Sequence, residues 1–259
     1  MSLHDRVYIV TGGSQGFGLA IAKSLLARGA RVGLVSRTQQ RLDAAVVELG
    51  SESAIGIVAD VASSEQVKDA FAYIKAHYGR LDGLINNAGM ARPNPVEHLV
   101  EAELMQQVQT NFIGTVLCCQ AAIPLLRGSE NPRIINISSA SAWHYDEMSH
   151  LSIYAATKAA VERFSRDLGM ELGGDGIGVS CIRPGAAWTS FADDWEAEAF
   201  KAGLEAWVHA GTYMNTGMDV SQVGESVVHA LSQPVGVAID LLEIRPNIPT
   251  EKVKPQLPD

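Results

Sequence analysis

Apolar residues in this chain come in short unbroken runs, and between the runs they recur every three or four positions. Val7-Tyr8-Ile9-Val10-Thr11 is the first run, β-branched and aromatic and closed by glycine. That is the pattern of a strand buried on both faces. Runs of the same kind predict strands at 6–11, 31–36, 54–59, 81–86, 132–138, 177–183 and 237–244. Helical spacing predicts helices at 16–28, 38–49, 64–78, 97–126, 152–172 and 219–232. Ser63 or Ser64 can cap the third helix, and Gly79 follows its end. Pro124 is expected to kink or shorten the fourth. Regular alternation of strand and helix predicts an α/β fold: a doubly wound parallel sheet in three layers. No repeat or linker divides it, so residues 1–259 are expected to form a single domain.

One stretch, 186–218, leaves this rhythm. Long excursions in compact domains tend to be functional. This one follows the sixth strand, at the carboxyl edge where open α/β sheets bind ligands, and is expected to form a substrate lid. It carries Trp188, Phe191, Trp195, Phe200, Trp207 and Tyr213, while Trp143, with Tyr145 and Met148, lies in the other segment expected to wall a pocket. These aromatic residues either line that pocket or pack short lid helices onto the body. Asp193, Asp194, Glu196 and Glu198 read as the lid's solvated face. Lys252 to Asp259 reads as a surface tail.

The first strand runs into Gly12-Gly13-Ser14-Gln15-Gly16-Phe17-Gly18 and then a helix. Glycines let a ligand approach the backbone, and the free N–H groups and dipole of a helix N-terminus attract phosphate. Strand, glycine turn and helix therefore predict a Rossmann-type dinucleotide site, although the spacing is Thr-Gly-x-x-x-Gly-x-Gly rather than Gly-x-Gly-x-x-Gly. After the second strand an acidic residue would bind the adenine ribose hydroxyls. Here Ser36-Arg37 stands instead, with Arg41 one turn on. A hydroxyl and a guanidinium suit a 2′-phosphate, so the expected cofactor is NADP(H).

Tyr154 and Lys158 are four residues apart on a predicted helix and share a face. An ammonium ~4 Å from a phenol, at an effective dielectric of ~20, favours the phenolate by about 4 kcal/mol. That lowers the phenol's pKa by roughly three pH units, towards the range of acid–base catalysis. Burial of the phenolate opposes the effect, and an oxidised nicotinamide would supply a second positive charge.

Composition narrows the alternatives. The net charge of −9 argues against nucleic acid as a partner. Three cysteines, two of them adjacent, fit a reducing compartment, and the expected location is cytoplasmic. No signal peptide is expected at the N-terminus, and no apolar run approaches 18 residues, so no membrane span is expected. Seven scattered histidines give no metal-ligand spacing.

Together these motifs resemble the short-chain dehydrogenase/reductase family over about Leu3 to Arg245. The likeness rests on Thr11 to Gly18, Asp60-Val61, Asn86-Asn87-Ala88-Gly89, Asn111, Ser138-Ser139, Tyr154 with Lys158, and Pro184-Gly185-x-x-x-Thr189, in that order. The resemblance implies that Tyr154 is the acid/base and that Lys158 lowers its pKa and binds the nicotinamide ribose. It implies that Ser139 polarises the carbonyl and that Asn111 holds a water in a proton relay. Asp60 would meet the adenine amino group beside Val61, Asn87 the ribose side, and Thr189 the carboxamide or a phosphate; Asn86 would tie strands together. Ser138 and Ser139 point to opposite faces of a strand end, and the family places its catalytic serine second. The interval from Ser139 to Tyr154 is longer than usual, which suggests an insertion around 143–150; His144 and His150 in it could enter the pocket or lie exposed. Gln15 stands where NADP-using relatives often have a basic residue, which leaves dual cofactor use open.

The reading is an NADPH-dependent reductase of a ketone or aldehyde, with a bulky apolar or aryl substrate, forming a homodimer or homotetramer by the family's habit. The alternatives are an NAD-linked alcohol or hydroxy-acid dehydrogenase and a non-catalytic dinucleotide-binding regulator.

Overall fold

A computed structural model describes residues 2–50, 52–144, 149–187, 189–210 and 217–247. Seven parallel strands form one sheet in the order β3-β2-β1-β4-β5-β6-β7. They are β1 (Val7–Thr11), β2 (Arg31–Ser36), β3 (Ala54–Val58), β4 (Gly83–Asn86), β5 (Arg133–Ile137), β6 (Gly178–Pro184) and β7 (Leu241–Ile244). The helices are α1 (Gly16–Leu26), α2 (Gln39–Leu49), α3 (Ser64–Tyr78), α4 (Glu101–Val108), α5 (Gly114–Leu126), α6 (Ser152–Glu171), α7 (Ala197–Ala210) and α8 (Ser221–Leu231).

Side chains alternate across a strand, and β1 sorts accordingly. Tyr8 and Val10 join a core with Ile21 and Leu25 of α1, Leu42 of α2, and Val223 and Val227 of α8. Val7 and Ile9 join the opposite core with Phe71 and Ile74 of α3, Cys118 and Ala122 of α5, and Leu168 of α6. Both faces are covered, as an all-parallel sheet requires. The doubly wound three-layer architecture is therefore present.

The strand order reverses between β1 and β4, which flank the topological switch point. Chain segments that leave the carboxyl ends of β1, β2, β4, β5 and β6 crowd around it.

Four differences from the expected elements have physical causes. The predicted helix over 97–126 is α4 and α5 joined by a π turn, Gln109–Ile113, centred on Asn111. Pro124 sits inside α5, two residues from its end, and does not shorten it. β7 starts at Leu241 rather than 237, because Pro234 to Val237 make a turn through Gly236 (φ +79°). The lid contains a full helix, α7. As one helical run, Glu101–Leu126 is long and apolar enough by composition to cross a bilayer, but its face through Cys118, Cys119, Ala122 and Leu126 is core. At the start of α3, Ser63 is the cap: its hydroxyl accepts from Gln66 N. The tail after 247 lies outside the described residues.

α1 and α8 pack through Gly224. A Cβ there would stand 2.4 Å from Ser24 Oγ and 2.9 Å from the Ala20 carbonyl oxygen. An exposed helical Gly→Ala change stabilises by about 1 kcal/mol. Gly224→Ala is expected to do the opposite, costing ~1–3 kcal/mol by overpacking, read as a lower urea midpoint at unchanged slope.

Candidate active site

The glycine turn is held by hydrogen bonds from β4's exit. Asn87 Nδ2 donates to the carbonyls of Thr11 (3.0 Å) and Gly12 (3.2 Å), and the backbone N–H groups of Asn87 and Ala88 donate to Thr11 Oγ1. Gly18 is locked against this turn: a Cβ would lie 2.2 Å from the Gly12 carbonyl oxygen. Gly16 is different. It has φ +53°, and a Cβ there would meet only Thr189, at 3.9 Å. The turn is thus tight on its inner side and open towards the cavity. α1 begins at this opening, with Gln15 as an N-cap that makes no side-chain bond and with no acid in the first turn. Its first N–H groups are unspent, the setting that binds phosphate. These residues fit a dinucleotide.

A cavity of about 460 Å³ runs from this turn along the sheet edge. Gly12, Ser14, Gln15, Gly16 and Phe17 line it at the turn, while Gly18 sits behind them. Ser36, Arg37 and Arg41 line one end; Ser14 Oγ donates to Ser36 Oγ at 3.0 Å, and Arg37 is exposed. Asp60 and Val61 are on the wall. Asp60 both faces the cavity and braces the chain before α3, its Oδ1 accepting from Ala62 N at 2.9 Å. Pro184, Gly185 and Thr189 enter from β6's exit, and Thr189 Oγ1 accepts from Phe191 N. Asn87 lines the cavity too, with its amide nitrogen already committed to the turn.

Ser139, Tyr154 and Lys158 meet midway along the cavity. Ser138 and Ser139 do point apart. Ser138 Oγ donates to Glu162 Oε1 at 2.7 Å, whereas Ser139 Oγ accepts from Ser141 and faces the phenol. Lys158 is 4% exposed, and its Nζ donates to the carbonyl oxygen of Ile137, the last residue of β5, at 2.8 Å. The amine lies 5.8 Å from the centroid of the Tyr154 ring.

The expected lowering of the phenol's pKa is not present in the cofactor-free protein. Burial pushes Tyr154 up to about 12, and the Ser139 hydroxyl opposes this only in part. Burial also brings Lys158 down to about 8. Desolvation penalises both charged forms and is the leading cause of both shifts. A lowered phenol therefore needs the second positive charge.

Asn111 is fully buried beside them. Its Nδ2 donates to Met90 O (2.8 Å) and Thr157 Oγ1 (3.0 Å), and its Oδ1 accepts from Met90 N (2.8 Å). Both amide protons are spent on the fold. A Cβ on Gly89 would lie 3.3 Å from Lys158 Nζ and 3.4 Å from Asn111 Oδ1, so the bare glycine leaves both polar atoms uncrowded on that side. Asn86 ties strands, donating to Asn136 Oδ1 at 2.8 Å and to Cys119 Sγ.

The lid closes the far end with aromatic rings. Phe191 lies 5.4 Å from Tyr154, and Trp195 joins Phe191, Phe200 and Trp207 at 5.6–6.3 Å. All four line the cavity, and Trp207 also packs α7 down, donating to Ser149 O. The two roles for these residues coincide. Trp143 does not join them: it is 65% exposed, with the Arg183 guanidinium 5.6 Å from its ring. Tyr145, Met148, Trp188 and Tyr213 lie outside the described residues.

Sequence reasoning missed the support beneath the site. Arg183 of β6 makes paired bonds to Glu162 of α6 and a third to Glu243 of β7, whose Oε1 also accepts from His144 Nε2 at 2.8 Å. His144 thus sits in an ion-pair network rather than in the pocket. His150 does not line the cavity; it has φ +65° and its carbonyl accepts from Asn94 N.

Comparison with known proteins agrees with the geometry. The family model described as short chain dehydrogenase matches residues 6–199. An uncharacterized oxidoreductase of Staphylococcus aureus is 30% identical over 244 residues, 94% of this chain and 98% of that one. The closed form of a serine dehydrogenase complexed with NADP+ superposes with a TM-score of 0.80, at 29% identity over 92% of this chain and 94% of that one. A 3-ketoacyl-(acyl-carrier-protein) reductase from Brucella melitensis complexed with NADH shares the fold, with a TM-score of 0.83 at 24% identity, over 94% of this chain and 98% of that one. The chain belongs to the short-chain dehydrogenase family and is an oxidoreductase of that type.

Lys158 is expected to titrate near pH 8, against 10.5 for an ordinary lysine, because burial disfavours its charge. NMR of labelled lysine side chains, assigned with Lys158→Met, reads this directly. A midpoint at or above 10 would mean that the amine is solvated.

Proposed function

We propose that this short-chain dehydrogenase reduces a bulky apolar or aryl ketone or aldehyde with NADPH, and runs in reverse as an alcohol dehydrogenase. The observation that carries the reading is the meeting of Ser139, Tyr154 and Lys158 between a dinucleotide-fitting turn and an aromatic lid.

A reduced nicotinamide bound by the turn and cavity residues would supply the hydride. The chain's residues do the rest. Ser139 donates a hydrogen bond to the carbonyl oxygen and orients it. Tyr154 gives its proton to that oxygen, so hydride and proton together convert C=O to CH–OH. With a pKa of about 12 in the free protein, Tyr154 is protonated at every working pH, the state a proton donor needs. Lys158 has donors left beyond its bond to Ile137 O. These would hold the ribose and stabilise the phenolate left behind. Lys158 Nζ and Asn111 Oδ1 both face bare Gly89, an arrangement of polar groups that supports Asn111 as the positioner of a relay water.

Ser36, Arg37 and Arg41 would hold the 2′-phosphate. Asp60 and Val61 would take the adenine, and Asn87 and Thr189 the ribose and carboxamide sides. Pro184 and Gly185 would back the nicotinamide. The aromatic far end supports a bulky apolar or aryl substrate. Free cysteines at 118, 119 and 181 support a cytoplasmic setting. Apolar Met105 and Ile113, exposed along α4 and the π turn, support a homodimer or homotetramer.

Tyr154→Phe is expected to abolish turnover, by 10³-fold or roughly more, while the dissociation constant for NADPH stays within about two-fold. Substantial residual reduction would remove Tyr154 as the proton donor. Arg37→Ala is expected to weaken NADPH by about ten-fold or more, in line with the ~1.5–3 kcal/mol of a charged hydrogen bond, and to leave NADH nearly unchanged. Equal losses would mean that Arg37 does not touch a 2′-phosphate.

A further inference from the structure

The lid reaches back across the cavity to the adenine end. Asp194, just beyond the short 3₁₀ turn Ser190–Ala192, places Oδ1 3.7 Å from Arg41 NH2 on the first turn of α2. Both residues line the cavity, together with Ser14, Ser36 and Arg37. Arg37 makes no ion pair among the described residues. Of the two arginines at this end, one makes no ion pair among the described residues and the other is shared with a carboxylate of the lid.

We propose that Asp194 is a cofactor-specificity residue that competes with the 2′-phosphate for Arg41. The inference rests on the cofactor reading above and deepens it. A 2′-phosphate that draws Arg41 to itself must first take it from Asp194, and so loses the Arg41–Asp194 pair. A 2′-hydroxyl carries no charge, leaves the Arg41–Asp194 pair in place, and can donate a hydrogen bond to a carboxylate. Arg37 thus favours NADPH, while Asp194 pulls the balance towards NADH. The same contact ties the choice to the lid: with NADH the pair bridges α2 to the lid, and with NADPH it is broken. The pair is half exposed on both sides, at 48% and 63%, so screening limits it to a modest factor rather than a switch.

The test is equilibrium binding of NADPH and of NADH to the full chain without substrate, read by quenching of tryptophan fluorescence. Asp194→Asn is expected to tighten NADPH about three- to five-fold, the range of a partly screened surface pair, and to leave NADH unchanged or slightly weaker. Arg41→Ala is expected to weaken NADPH, and the double variant is expected to bind like Arg41→Ala alone, since the two charges act on one another. Asp193→Asn removes the same charge from the exposed neighbour and should change neither cofactor. Raised salt should shrink the Asp194→Asn gain. A silent Asp194→Asn, an equal gain for both cofactors, or a gain that persists without Arg41 would each overturn the inference while leaving the proposed reaction standing. Failure of the wild-type chain to bind either dinucleotide would overturn both.

Discussion

A buried ammonium organises this site. Lys158 sits at 4% exposure on α6, where a charge is expensive to hold. The structure meets that cost with one direct partner, the carbonyl oxygen of Ile137, which is free because β5 ends there. The bond fixes α6 against the strand end, and Ser139 leaves from the same strand end two residues later. The distance between acid, hydroxyl and amine is therefore set by one hydrogen bond and one strand terminus. Ser138 adds a second tie between the same elements, donating to the carbonyl oxygen of Lys158 and to Glu162 one turn further along α6.

The same burial sets the resting state of the acid. Tyr154 and Lys158 are driven towards their neutral forms, one to about 12 and the other to about 8. The protein without cofactor is thus an acid store rather than a base. Positive charge entering the cavity would favour the phenolate, and the direction of proton flow then follows the charge on the bound nicotinamide. This gives the two directions of the reaction different electrostatic requirements in one set of residues.

Much of this was legible in the sequence, because the decisive signals are local. β1 with its glycine turn spans twelve residues, and Tyr154 and Lys158 are one helical turn apart. Unbroken apolar runs and period-3.6 patterns placed every strand of the sheet within a few residues and covered seven of the eight helices, the long fourth prediction dividing into α4 and α5. What was hidden is assembled from distant segments. The network of Arg183, Glu162, Glu243 and His144 joins four parts of the chain. Asn111 acquires its partners from Met90, 21 residues away, and Thr157, 46 away. Trp143 stands exposed against the Arg183 guanidinium, a partner 40 residues away in sequence. The sequence showed the charged neighbour of Tyr154 and that burial would oppose it, but not which would prevail, because desolvation is a property of the whole fold. α7 was foreseen only as short lid helices without bounds, although the composition of Ala197 to Ala210 is helix-forming.

The π turn at Gln109–Ile113 has a geometric effect beyond Asn111. Each residue of an α-helix advances the rotation by about 100°, so a turn widened by one residue puts a phase step between α4 and α5. Downstream of the step, Cys118, Ala122 and Leu126 line up on the sheet. Upstream of it, the stripe that contacts the body is offset around the axis, which buries Gln107 and turns Met105 to solvent. The two halves of one rod thereby address different neighbours, as a keyed shaft does when its ends are cut at unequal angles.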